Sequence, residues 1–170
     1  MRTTGTADSG SNPAPMPLET AEQFASALQR LVADARRHIV IYSQHLARAL
    51  YHEPHTVQAL SDFARSSRYA RVQILICDGE PLLRSPHRLL PLIQRLESSI
   101  ELRKTQPGSE PDNYEFVLAD NRQLLLRTDG EKWLGQYQAN NPVRTRQLRE
   151  IFERAWLHAQ PDPNLKTLFL

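Results

Sequence analysis

Two short apolar runs constrain this chain most: His38-Ile39-Val40-Ile41-Tyr42-Ser43 and Arg71-Val72-Gln73-Ile74-Leu75-Ile76-Cys77. Each is rich in β-branched side chains, too short for a helix and too continuously apolar for a strand with one wet face, so both read as buried strands. A helical pattern stands before each of them. Thr20 and Gln23 have the spacing of a capping box, and Phe24, Ala27, Leu28, Leu31 and Ala35 recur behind them every three or four residues, which predicts an amphipathic helix over residues 20–37. Pro54 opens a second helix, with Val57, Leu60, Phe63 and Ala64 as its apolar side and an end near Ser66-Ser67. Buried strands joined through helices pair in parallel, because the helix carries the chain back across the sheet.

The rest of the chain adds elements of other kinds. After the turn at Asp78-Gly79, Ser85 is placed as an N-cap and Pro86 at the first helical position, with Leu89, Leu90, Ile93 and Leu96 facing inward. His87 and Arg88 then fall in a first helical turn beside a strand end, where an anion could be held. Ile100-Glu101-Leu102-Arg103 alternates as a third strand, and residues 106–112, with Pro107, Gly108 and Pro111, form a loop. Residues 112–127 are two apolar runs about an Asp120-Asn121 turn, a hairpin, and Trp133 to Gln138 is one more strand. Asn141 caps and Pro142 opens a last helix with Val143, Leu148, Ile151, Phe152, Ala155 and Trp156 inward, ending before Pro161. The expected fold is α/β: a mixed, mostly parallel sheet flanked by helices on both faces, with C-terminal antiparallel hairpin strands and a final helix. Residues 1–17, polar and punctuated by Pro13, Pro15 and Pro17, read as a disordered tail before a single domain over 18–170.

Composition narrows the function. No apolar run reaches the roughly 18 residues that would suggest a membrane span, and Met1 is not followed by a basic segment and an apolar one, which places the chain in the cytoplasm with no membrane partner. Cys77 is the single cysteine, inside an apolar run, and reads as a buried structural thiol. His45, His52 and His55 lie close together, but Pro54 breaks a helical presentation and no carboxylate or thiol cluster completes a ligand set, so neither a metal nor another cofactor is expected. A net charge of +2 is too small by itself to imply nucleic acid, although arginine far outnumbers lysine.

The order of two βα units, a hairpin and a closing helix resembles one repeat of the phospholipase D superfamily. The active repeat of that family carries H-x-K-x-x-x-x-D on the first hairpin strand. With Asp120 laid on the final Asp, Asn113 stands at the histidine position and Glu115 at the lysine position, and the helix from Asn141-Pro142 to Phe152-Glu153-Arg154-Ala155-Trp156 fits the closing pattern. The resemblance implies a histidine that attacks phosphorus and a lysine that neutralises the phosphoryl oxygens; Asn113 cannot attack and Glu115 repels an anion. The small Gly-Ser pair expected after the hairpin is also missing, with Arg127-Thr128 nearby. The chain is similar, too, to a bacterial domain found alone or behind GNAT-type acetyltransferases, which makes an acetyltransferase a candidate partner; the chain carries no Gly-rich acetyl-CoA loop of its own.

The leading expectation is a catalytically inactive phospholipase-D-like domain serving as a binding or accessory module. Single-repeat members of the family complete their site as homodimers, so a homodimer is the implied assembly, and Arg103, Arg122 or Arg127 would have to pair with Glu115 for two such sites to meet. Arg127, Thr128, His87, Arg88 and His45 are the candidate ligand or phosphate contacts. The alternative is a nucleic-acid binder using Arg65, Arg68 and Arg71 together with Arg144, Arg146, Arg149 and Arg154 of the last helix. A third, an unrelated enzyme, would use Glu115 as a base beside His45 or His87.

Overall fold

The computed structural model covers residues 13–106 and 114–167. In chain order the elements are β1 (Met16–Leu18), α1 (Ala21–Asp34), β2 (His38–Ser43), α2 (Arg48–Tyr51), α3 (Pro54–Arg65), β3 (Arg71–Ile76), α4 (Glu80–Arg84), α5 (Leu89–Arg95), β4 (Ile100–Lys104), β5 (Glu115–Ala119), β6 (Gln123–Arg127), β7 (Gly135–Gln138), α6 (Pro142–His158) and α7 (Pro163–Thr167). The strands form one sheet in the order β1-β7-β6-β5-β2-β3-β4.

The two apolar runs lie side by side in parallel, Ile39 opposite Val72 and Ile41 opposite Ile74. Because successive side chains of a strand point to opposite faces, each run feeds two cores. Ile39, Ile41, Val72, Ile74, Val117, Ala119 and Leu125 pack with α1, α3 and α5 on one face. Val40, Tyr42, Leu75, Phe116, Leu118, Leu124 and Leu126 pack under Leu148, Phe152, Ala155 and Trp156 of α6 on the other. Burial on both sides explains why these strands are continuously apolar: each fully buried large side chain contributes roughly 1.5–3 kcal/mol.

The sheet is mixed, but not mostly parallel. Only β2 with β3 and β3 with β4 run parallel, while β2 with β5, β5 with β6, β6 with β7 and β7 with β1 are antiparallel. The hairpin inserts next to β2 and carries the remaining strands with it. One of those was not foreseen. Met16 and Pro17, expected in a structureless tail, belong to β1, whose Leu18 is buried in the core and whose backbone pairs with β7. Gly135 allows β7 to approach β6 there: a Cβ at that position would lie 1.9 Å from the Leu126 carbonyl oxygen.

Several boundaries move for local reasons. The capping box at Thr20 and Gln23 is formed, yet α1 stops at Asp34 rather than 37. The Asp120 carboxylate takes the backbone N–H groups of Arg36, Arg37 and His38 at 3.0, 2.9 and 3.1 Å, drawing that segment away from the helix. The helix assigned to Ser85-Pro86 is two pieces: Ser85 is the C-cap of α4, and α5 begins at Leu89 with Arg88 as its N-cap. His87 and Arg88 therefore do not occupy a first helical turn. Asn141 caps α6 as expected, its side chain accepting from the Arg144 N–H, but Val143 is exposed. The loop expected at residues 106–112 falls largely outside the described residues, as does Asn113.

Candidate functional site

Glu115 opens β5 at the carboxyl end of β2, where the resemblance would place phosphoryl chemistry. Its side chain shares a sheet face with Val117, as period-two geometry requires, while Phe116 and Leu118 face α6. The carboxylate is buried and fully engaged. One oxygen accepts from the Gln44 N–H at 2.8 Å and the Ser43 hydroxyl at 3.3 Å; the other accepts from Arg127 at 3.2 Å. Arg127 is the cross-strand partner of Glu115 in the hairpin register. Its guanidinium also donates through Nε to the Lys132 carbonyl at 2.7 Å and lies 3.9 Å from the centre of the Trp133 ring.

Both partners of this ion pair expose less than a tenth of their side chains. Removing two charges from water costs several kcal/mol per ion, which attraction offsets only where the remaining donors and acceptors are also satisfied. Here they are. Leu50, Tyr51, Phe24 and Leu125 close over the pair and leave a void of about 10 Å³, no more than a water molecule needs. Burial pushes the Tyr51 phenol above its ordinary range, the neighbouring Glu115 charge adding to the effect.

The turn after β2 extends this network. Leu46 has a left-handed backbone, φ 59°, which is costly for a residue with a branched side chain. The Ser43 hydroxyl accepts the Leu46 N–H at 2.9 Å while donating to Glu115, and the Leu46 carbonyl accepts from Nε2 of the buried His87 at 3.1 Å. Nδ1 of His87 in turn accepts from the Leu89 N–H at 3.2 Å, so the ring is neutral with its proton on Nε2. Burial lowers its pKa to about 4, with His52 and Arg48 acting in the same direction.

The remaining candidates are dispersed. His45 is exposed. Arg88 lies at the surface, its backbone N–H given to His52 and its guanidinium near the His52 carbonyl. Thr128 donates both its N–H and its hydroxyl to the Leu134 carbonyl. Asp120, in a left-handed turn at φ 54°, is at the far end of β5 from Glu115, roughly 17 Å along the strand. Besides holding the segment 36–38, it offers its carbonyl to Arg149 of α6, whose guanidinium also donates to His38 Nδ1 at 3.0 Å. His38 Nε2 meets Gln73 at 2.6 Å. Among the described residues no group of three His, Cys, Asp or Glu side chains could hold a metal ion, and no helix is long and apolar enough to cross a membrane.

The sequence thus named Glu115 and Arg127, but not Ser43, Gln44, Tyr51 or Trp133, which reach the pair from separate elements. Only the period of β5 and β6 could have joined Glu115 to Arg127. Contacts from the β2–α2 turn and the β6–β7 loop leave no periodic signal.

Solved structures share this architecture. TrmBL2, an archaeal chromatin protein with a novel mode of DNA binding, superposes with a TM-score of 0.65 at 13% identity, covering 94% of this chain and 57% of that one. NucT from Helicobacter pylori gives 0.61 at 9% identity, covering 88% and 99%. Nuc from Salmonella typhimurium, a phospholipase D family member, gives 0.55 at 15% identity, covering 86% and 97%. This chain spans little more than half of TrmBL2 but nearly the whole of the two smaller proteins. At such identities the likeness establishes the fold alone, a phospholipase-D-like α/β domain. No curated protein matches the sequence. Residues 20–168 match the family described as Domain of unknown function (DUF7931), and the chain belongs to that family.

Proposed function

We propose that this domain has lost phosphodiester chemistry and works as a binding or accessory module on a phospholipase-D-like scaffold. The buried Glu115–Arg127 pair carries this reading. Phosphoryl transfer needs a nucleophile and free cationic groups aimed at the phosphoryl oxygens. At the matching sequence positions stand Asn113, which cannot attack, and Glu115, which neutralises the neighbouring arginine, and the space of about 10 Å³ beside the pair is too small for a phosphate. Bis(4-nitrophenyl) phosphate and single-stranded DNA are the substrates to offer the full chain. No turnover is expected from the wild type or from Asn113→Ala. Turnover by the wild type that disappears in Asn113→Ala overturns the reading. A homodimer belongs to the same proposal, and a monomeric mass by light scattering at high concentration would remove it.

A second reading, binding of nucleic acid, is favoured by one surface. Arg36, Arg37, Arg65, Arg68 and Arg71 are all exposed near the amino ends of β2 and β3, with the exposed Tyr69 among them. The last helix adds less, since Arg149 is drawn inward to His38 and Asp120. Displaced counterions make phosphate-backbone binding fall steeply with salt, by roughly 0.7 in log K per log salt for each phosphate contacted on a single strand. An affinity for single-stranded DNA that is flat in salt overturns this second reading.

A further inference from the structure

A groove of about 510 Å³ lies at the amino ends of β2, β3 and β4, opposite the end that holds Glu115. Its lining divides by charge. Arg37 and Arg71 come from the starts of β2 and β3, Glu97 from the segment that leads into β4 and Glu101 from the start of β4 itself. Opposite charges facing one cavity ordinarily close on each other, but here no ion pair joins the two sides among the described residues. Glu101 pairs with Arg103 on its own strand at 2.8 Å, and Arg71 is anchored through NH1 alone, to the Arg68 and Ala70 carbonyls.

Two further features shape the groove. Tyr69 exposes 65% of its surface, and the Arg68 guanidinium lies 4.8 Å from its ring centre and donates to its hydroxyl. One ring face is thereby held by an arginine, which fixes the ring and leaves the other for a ligand. The floor is His38 and Gln73, hydrogen-bonded to each other, with Arg149 behind His38. The backbone that carries Arg37 is fixed by the Asp120 carboxylate.

We propose that this groove binds a nucleotide, its phosphate on Arg37 and Arg71, its base on the open face of Tyr69 and its sugar hydroxyls or exocyclic amine on Glu97 and Glu101. The inference rests on the second reading above, that this end of the sheet meets phosphate, and gives it a ligand class. Guanidinium groups suit phosphate oxygens, an aromatic face suits a base, and carboxylates accept from the hydroxyl or amino donors that a bare phosphate lacks. The cavity lies within the range of about 300–1,000 Å³ usual for small-molecule sites. The two carboxylates also set a limit, because they repel a second phosphate and so favour one nucleotide, free or at a strand end, over a backbone running through.

Calorimetric titration of the full chain with 5′-AMP, inorganic phosphate and a 5′-phosphorylated single-stranded decamer tests this. AMP is expected to bind at least tenfold more tightly than phosphate. Arg71→Ala and Tyr69→Ala should each weaken AMP tenfold or more and Tyr69→Phe little, while Arg95→Ala, on α5 and outside the groove, leaves it unchanged. Decamer binding that needs Arg71 and Tyr69, without AMP binding, assigns the same chemistry to a strand end. AMP and phosphate binding equally, or AMP affinity indifferent to Arg71 and Tyr69, overturns the nucleotide. Salt-dependent decamer binding that ignores both residues overturns the groove and leaves the second reading standing.

Discussion

The two ends of the parallel strands treat charge in opposite ways. At the carboxyl end, Glu115 and Arg127 are buried against each other, Gln44 and the Lys132 carbonyl complete their hydrogen bonding, and little space is left beside them. At the amino end, Arg37, Arg71, Glu97 and Glu101 surround an open groove without pairing across it. A charge satisfied inside the protein becomes part of the fold. One left facing water is available to a ligand, and its loss costs the fold little.

The largest expected effect lies at the closed end. Arg127→Ala leaves the Glu115 carboxylate buried without its cation and should destabilise the domain by about 3–5 kcal/mol in urea unfolding. Replacing both partners at once, Glu115→Leu with Arg127→Met, should recover most of that loss, since an apolar pair of similar volume does not carry the desolvation cost. If Arg127→Ala unfolds at the wild-type denaturant midpoint, the pair is not closed as described and the contrast between the ends fails.

A smaller effect should appear with pH, through His87. Its folded pKa of about 4 lies below the ordinary 6.5, because the ring is buried and His52 and Arg48 stand near it, which together outweigh the hydrogen bond to the Leu46 carbonyl. The unfolded chain therefore takes up the proton first. Stability from this group is complete above pH 6.5, falls as the pH drops, and levels off near pH 4, a loss on the order of 3 kcal/mol. His87→Gln should flatten that part of the stability profile. An unchanged slope between those pH values would mean that another group titrates there.

The smallest effect belongs to the open end. Tyr69→Ala removes an exposed ring and should change unfolding stability by no more than about 0.5 kcal/mol, although it abolishes the platform proposed for a base. A loss of several kcal/mol would show that Tyr69 supports the core, and the two ends would no longer differ as argued.

Much of the fold was legible because local chemistry and burial agree. The continuous apolar runs became the central strands, the Thr20–Gln23 box and the Asn141 cap formed, and the hairpin turned at Asp120-Asn121. Ser85-Pro86 misled because the same dipeptide that can open a helix here ends one, with Arg48 donating to the Ser85 hydroxyl and the Pro86 carbonyl. Met16 and Pro17 were unreadable as a strand, since three residues have no measurable period and gain their partners from β7, far along the chain.

By itself the sequence determined most of the element types and the burial of the central strands, and it carried the expectation that Asn113 and Glu115 stand where the resemblance has its histidine and lysine. Those follow from spacing and side-chain identity, which are local. The tertiary structure decided that Glu115 would meet Arg127, Ser43 and Gln44, and that Arg37, Arg71, Tyr69, Glu97 and Glu101 would share one groove. Parallel strands bring their like ends together from residues far apart in the chain, His38 beside Arg71 and Val72 beside Ile100, and no local pattern records which charges will close on each other and which will be left facing water.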